Sequence, residues 1–413
     1  MYETRQDLTD AGWDAYPLPT KIKKRHFLDY SILIPYLILT VIGLIFVYSS
    51  TSYLLITNDV NPTSLVMNQG IFWVLSLIMI SLMYKMKTDV LKSQQLIIIA
   101  TYFIFILLIV VFFIGDEVNG AKGWIRIGSF SMQPAEYLKI MVVWYLSYIL
   151  SKRQDTIQEN FVTDMKRPLM LVFAMIFLVA VQPDMGNAAI ITLLALILLL
   201  ASGVNWVYSL IVGGAGIVGS FLVIEFLTHF GEAIFPGKLQ YIVSRFESFK
   251  NPFKYELDQG HQMVNGYYAM FNGGWFGRGL GNSIEKKGFL SEAHTDFIFS
   301  IVIEEVGLIG ALIILAILIF MIARIYLVGI RSKKPFNSLI CIGIGSLLLL
   351  QVFINLGGIL GIIPLTGITF PFLSQGGNSL LVLSVGVAFA LNISADEKRT
   401  KLAIEYEYLK SQE

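Results

Sequence analysis

Tyr30-Ser-Ile-Leu-Ile-Pro35-Tyr-Leu-Ile-Leu-Thr40-Val-Ile-Gly43-Leu-Ile-Phe-Val-Tyr48 carries no charge over its whole length. A membrane helix needs about 17–25 mostly apolar residues, so this run is long enough to span. Similar runs recur along the chain, at about 69–86, 95–114, 134–151, 168–182, 187–203, 206–230, 295–323, 337–356 and 375–393. Pro183 and Gly186 divide the pair between 168 and 203. The fold class expected is all-α and integral to a membrane, with about ten transmembrane helices. One large extracellular loop, about 231–294, separates spans seven and eight.

Composition agrees. Of 413 residues, 55% are hydrophobic and 14% charged, against about 25% charged in soluble proteins. A net charge of +1 gives no reason to expect nucleic acid as a partner. Cys341 is the only cysteine, so no intrachain disulfide forms, and no Cys/His cluster has zinc-site spacing. Residues 1–29 are polar and end in Lys21-Ile-Lys23-Lys24-Arg25-His26, which does not read as a cleavable signal peptide.

Lys and Arg set the orientation. They crowd the N-terminal tail (1–29), the loops around Lys85–Lys92, Lys152–Arg167 and Arg324–Lys334, and the C-terminal tail (395–413). The loops near 51–68, 183–186 and 357–374 carry none. Both tails are therefore expected in the cytoplasm, with residues 30–394 as the membrane domain.

Five polar constellations stand out. The first is Asn119-Gly-Ala-Lys122-Gly-Trp124-Ile-Arg126-Ile-Gly128 followed by Gln133-Pro-Ala-Glu136-Tyr-Leu-Lys139. Glu136 and Lys139 stand at i, i+3 and can pair. They read either as a structural ion pair or as the wall of a polar cavity. Lys122 and Arg126 could meet phosphate or be surface charge, and Trp124 suits an interfacial anchor. The second, Gln182-Pro-Asp184-Met-Gly186, reads as a helix stop with a solvated Asp184. The third is Arg245 in the long loop, a residue type that clamps phosphate or simply sits in solvent.

The fourth is Glu292-Ala-His294-Thr295-Asp296, just before the apolar Phe297–Ile303. Acids at a membrane boundary are costly unless used. Asp296 is expected in the first helical turn with Thr295 as N-cap, acting as a dipole cap, a general base or a ligand of a divalent cation. Glu304 and Glu305 put at least one further acid inside the span. The fifth runs Asn355–Gly367 and Pro371-Phe-Leu-Ser374-Gln375-Gly-Gly-Asn378-Ser379. So much Gly and Pro at membrane depth reads as a broken segment lining a cavity.

At these residues the chain resembles the SEDS family (FtsW, RodA, SpoVE) from its first span to its last. The fifth stretch is similar to a family signature that commonly ends in Ser-Tyr-Gly-Gly-Ser-Ser, with Gln375 and Asn378 as departures. The stretch Pro364–Asn378 and the 29-residue tail look most like the FtsW branch of Gram-positive cocci. The resemblance implies a peptidoglycan glycosyltransferase that polymerises lipid II at the outer face of the cytoplasmic membrane, at the division septum. It implies Asp296 as the catalytic residue, with Glu136, Lys139 and Trp124 in the same cavity. Lys122, Arg126, Arg245, Glu292, His294, Ser374 and Asn378 are the other candidate cavity residues. Mg²⁺ or Mn²⁺ is a candidate cofactor at Asp296, and no organic cofactor is expected. The partners implied are lipid II, undecaprenyl-pyrophosphate-linked glycan, a class B penicillin-binding protein and other divisome proteins. An elongation-type RodA polymerase and a lipid II flippase remain alternatives.

Overall fold

The computed structural model describes residues 24–118, 121–127, 130–154, 156–157, 161–203, 207, 248–257 and 260–410. Ten long helices are described: α1 (Tyr30–Thr57), α2 (Ser64–Lys85), α3 (Gln94–Ile114), α4 (Pro134–Lys152), α5 (Phe161–Val181), α6 (Met185–Ala201), α7 (His261–Gly273), α8 (Ile298–Arg331), α9 (Pro335–Ile359) and α10 (Gly377–Lys410). Among the described residues six of them, α1, α2, α3, α8, α9 and α10, are long and apolar enough to cross a membrane. The chain is a multi-pass, helical membrane protein. Arg245 and, apart from residue 207, the span expected at 206–230 lie outside the described residues.

Apolar side chains cover both faces of the outer helices, so exposure rather than hydropathy marks the inward stripe. On α1, Ile32, Tyr36, Leu39, Gly43 and Phe46 are buried, while Ile34, Ile38, Val41 and Ile45 are exposed. The apolar window of α10 is 89% buried and that of α2 only 22%. So α10 runs through the centre of the bundle and α2 faces lipid. α10 packs on α2; α8 packs on α9, α7 and α1; α4 packs on α3, α6 and α9.

The helices sort the loops onto two ends. One end gathers the start of α1, the end of α2 and the described residues of the turns at 153–157 and 332–334; it carries Lys24, Arg25, Lys85, Lys87, Arg153, Arg331 and Lys333 and is called the tail end here. The other, the site end, gathers residues 58–63, the described residues of 115–133, and residues 182–184, 261–297 and 360–376. Every described member of the five constellations sits at or near the site end.

Two features there depart from expectation. A small antiparallel sheet there has the order β1 (Asp116–Val118), β2 (Ala121–Ile127), β3 (Phe130–Met132). Its register pairs Asp116 with Trp124 and Arg126 with Ser131. Strands this short, interrupted by glycine, leave no readable alternation in the sequence. The loop expected at 231–294 also contains α7, which packs against α8.

α8 is broken at Gly307 (φ 74°, ψ 172°). In a continuous helix the carbonyls of Glu304 and Glu305 would accept from the amides of Leu308 and Ile309. Instead Arg278 N donates to Glu304 O and Gly279 N to Glu305 O, both at 2.9 Å. Leu308 N donates to Gly274 O at 2.9 Å and Ile309 N to Trp275 O at 3.2 Å. Residues 274–279 thus satisfy all four groups that the break leaves open, as backbone at membrane depth requires.

Candidate active site

The pentad lies in a turn, 291–297, and α8 begins at Ile298 with Phe297 as N-cap and no side-chain cap bond. The expected capping role of Thr295 is therefore corrected. Its hydroxyl lies 2.6 Å from Glu292 Oε2 and 2.8 Å from Asp296 Oδ1, so it bridges the two carboxylates. Asp296 itself is half-buried.

Three consecutive carbonyls of the pentad are held by the fifth constellation. His294 O accepts from Gln375 N at 2.8 Å. Thr295 O accepts from Ser374 Oγ at 2.6 Å. Asp296 O accepts from Asn355 Nδ2 at 2.7 Å. The clamp is itself braced. Asn355 Nδ2 also donates to Ile368 O at 2.7 Å, and Ser374 Oγ accepts from Phe370 N at 2.8 Å. Gln69 of α2 bonds both Ser374 O (3.4 Å) and Gly376 N (3.2 Å). Phe299 and Phe370 stack with centroids 4.7 Å apart. Ser374, predicted to line the cavity, is thus engaged with the backbone beside Asp296.

The same segment reaches the first constellation. Asn378 Nδ2 donates to Ser131 O of β3 at 2.7 Å, and Tyr137 of α4 donates to Asn378 Oδ1 at 3.2 Å. Close to Tyr137, Lys139 Nζ pairs with Glu136 Oε1 at 2.7 Å, both side chains buried. Glu136 Oε2 is buried without a protein partner. Asp184 joins them. It caps α6 through Asn187 N (3.2 Å) and accepts from Gln133 Nε2 (2.8 Å) and Asn187 Nδ2 (2.9 Å).

Asp184 is 9% exposed, which corrects the solvated helix stop expected from sequence. Burial raises its carboxyl above the usual range against the bonds from Asn187, with Glu136 adding to the rise and Lys139 opposing it. Burial likewise lowers the His294 imidazole below its usual value, with Glu292 pulling the other way.

Trp124 is half-buried on β2. Arg126 is exposed and 3.7 Å from Asp116, the surface-charge reading. The Lys122 side chain and Arg245 are outside the described set. Asn355, Gln69, Gln133 and Asp184 were not singled out as site residues. Asn355, Asp184 and Gln133 are readable as polar residues at helix ends beside Gly or Pro; Gln69 gives no signal.

Among the described residues no three His, Cys, Asp or Glu side chains could hold a metal together. Glu292 and Asp296, both half-buried and each within hydrogen-bond reach of the Thr295 hydroxyl, form a two-carboxylate pair. That suits Mg²⁺, which binds one or two carboxylates, keeps waters and takes substrate phosphate oxygens.

Residues 30–399 match the sequence profile of the FtsW/RodA/SpoVE family, described as cell cycle protein. The chain is 48% identical over 407 residues to the probable peptidoglycan glycosyltransferase FtsW of Lactococcus lactis subsp. lactis, covering 92% of this chain and 96% of that one. It is 37% identical to the protein of the same name from Enterococcus hirae, covering 92% and 95%. Among solved structures it resembles a chain from a peptidoglycan synthase complex studied for coordination of polymerization and crosslinking (TM-score 0.70, 23% identity, covering 90% and 98%). It also resembles the Thermus thermophilus rod shape determining protein RodA (TM-score 0.63, 22% identity, covering 93% and 98%). The chain thus belongs to the FtsW/RodA/SpoVE family of cell cycle proteins.

Proposed function

We propose that the chain is a peptidoglycan glycosyltransferase that polymerises lipid II at the outer face of the cytoplasmic membrane, for the division septum. The observation that carries this reading is the clamp on three consecutive carbonyls at 294–296, which presents the half-buried Asp296 carboxylate from a fixed backbone. Catalysis by a positioned base needs that rigidity. The relatives named FtsW supply the reaction class and favour division over elongation.

In the reaction, Asp296 takes the proton from the acceptor sugar's 4-hydroxyl. That oxygen attacks the donor's anomeric carbon from the opposite face, the bond to pyrophosphate breaks, and undecaprenyl pyrophosphate leaves with the electron pair. A divalent cation, when bound at Glu292 and Asp296, would supply positive charge for the pyrophosphate. Glu136, Lys139 and Asp184, all buried, would give the sugar headgroups a polar backing, reached through Gln133, which bonds Asp184. The basic residues at the tail end support a cytoplasmic tail end, and with it a site end outside the cell. A class B penicillin-binding protein would crosslink the product, a pairing supported by the fold shared with a chain of a peptidoglycan synthase complex.

The test is polymerisation of purified lipid II, with and without the cognate penicillin-binding protein and with a chelator arm. Asp296→Asn should lower the rate by about 100-fold or more while retaining partner binding. Undiminished glycan synthesis by Asp296→Asn removes the base assignment. Transfer of fluorescent lipid II between leaflets with no glycan made would replace the reading with a flippase.

A further inference from the structure

Gly307 holds a backbone conformation that is essentially glycine-only, and residues 274–279 act as a splint across the break. The splint is built to fit. A Cβ on Gly273 would strike Ile303 O, one on Gly277 would strike Glu305 O, and one on Gly307 would strike Gly277 N. If the splint withdrew, α8 could close its own two rungs, Glu304 to Leu308 and Glu305 to Ile309. The four open groups of α8 are satisfied either way, but withdrawal trades four bonds for two and hands Arg278 N, Gly279 N, Gly274 O and Trp275 O to water, an exchange of small net worth per bond. Backbone bonding thus leans modestly to the broken form, and the buried side chains carry the rest.

Those side chains are buried behind the splint. Lys286 Nζ lies 2.7 Å from Glu305 Oε1 and 2.8 Å from Ser49 Oγ of α1, and Ser49 Oγ donates to Glu305 Oε1 at 2.6 Å. Lys286, Glu305 and Ser49 are each less than a tenth exposed. One residue earlier on α8, Glu304 accepts from Ser283 Oγ and from Ile284 N. A lone charge inside the bundle is costly, so the seated form, in which Lys286 and Glu305 meet, is selected over the withdrawn one.

The consequence reaches Asp296. From the break at Gly307 to Asp296 is a lever of about 16 Å at roughly 1.5 Å per residue. A change of about 4° at the break moves its far end by about 1 Å, and a misplacement of that size can cost about 100-fold in rate.

We propose that Lys286 is a positioning residue for catalysis: through Glu305 and Ser49 it holds α8 in its broken form and so sets where Asp296 stands. This rests on Asp296 being the reacting carboxylate, and the test separates the two ideas. Spin labels at Ser291 and Leu312, exposed on either side of the break, report its geometry without any activity assay, in a Cys341→Ser background. Lys286→Met should shift or broaden the distance distribution, and Lys286→Arg should restore it. In lipid II polymerisation Lys286→Met should lower kcat about 100-fold with KM within about twofold of wild type, and Lys286→Arg should recover most of it. Ser49→Ala removes only the shared hydroxyl and should broaden the distribution in the same direction, which keeps the test open if Lys286→Met does not fold. An unchanged distribution in the folded variants overturns the proposal. A changed distribution in an enzyme whose Asp296→Asn variant still polymerises overturns the base assignment and leaves the hinge standing.

Discussion

Asn355 stands one turn from the end of α9, and its side-chain amide uses both hydrogens on backbone carbonyls, Asp296 O and Ile368 O, each at 2.7 Å. No other natural side chain of this size and shape offers two such donors in one plane. Asn355→Leu keeps the branching and heavy-atom count, though its methyls are bulkier, and strands two carbonyls, each costing about 1–3 kcal/mol when buried without a partner. The expected outcome is a lower melting temperature and a polymerisation rate down by about 100-fold. A variant that loses stability but keeps wild-type kcat would show that Asn355 braces the fold without placing Asp296. Asp296 itself was legible in the sequence, because a carboxylate against an apolar run is an unusual pattern. The residues that hold it were harder to see. Gln69 looks like an ordinary polar residue in an apolar helix, and only its partner, 305 positions away, gives it meaning; Asn355 opens the Gly/Pro stretch, but the carbonyl it holds lies 59 positions back.

At the scale of elements, the spans were legible because membrane helices announce themselves by length and apolarity. The break in α8 was not, since Gly307 inside an apolar helix usually marks close packing and its partner strand is 28–33 residues upstream. The approach of α1 to the broken segment is of the same kind. Gly43 faces Phe372 O so closely that a Cβ there would collide with it. Phe372 in turn has φ +65°, a costly conformation for a bulky residue, and its ring meets Tyr36 edge-on at 5.4 Å. Gly43→Ala sets two effects against each other. Alanine gains about 1 kcal/mol of helix propensity, while forcing α1 off a backbone contact costs about 1–3 kcal/mol. The collision is with main chain that cannot rotate away, so the clash wins. The variant should melt lower and lose activity, because the displaced segment carries Ser374 and Gln375. A more stable Gly43→Ala protein would mean that the segment yields freely and is no clamp.

Across the whole molecule, the site end is coupled to a second polar knot at the tail end through the same helices. Asp29, at the entrance to α1, accepts from Arg324 Nη2 of α8 at 2.8 Å and from Ser394 Oγ of α10 at 2.7 Å, with Lys398 Nζ at 3.2 Å. One carboxylate thus joins α1, α8 and α10, which carry Ser49, Glu305 and the start of the core helix at the other end. Burial alone would raise the Asp29 carboxyl, but the bonds from Arg324 and Ser394 and the charges of Lys398 and Arg324 outweigh it and hold it below 3.8. The unfolded chain therefore binds the proton more readily than the folded one, and stability from Asp29 rises with pH. It is fully present above about pH 4 and is lost as pH falls through the lower folded-state value. Asp29→Asn should cost about 2 kcal/mol at pH 7, less than a fully buried pair because Arg324 and Lys398 keep some solvent. Between pH 5 and pH 3 the wild-type melting temperature should fall more steeply than that of the variant, since only the wild type has this proton to gain. Parallel slopes in detergent-solubilised protein would remove Asp29 from the acid response. If the knot also steadies the site end through α8, Asp29→Asn should broaden the distance between labels at Ser291 and Leu312 at neutral pH, where Asp29 is ionised in the wild type.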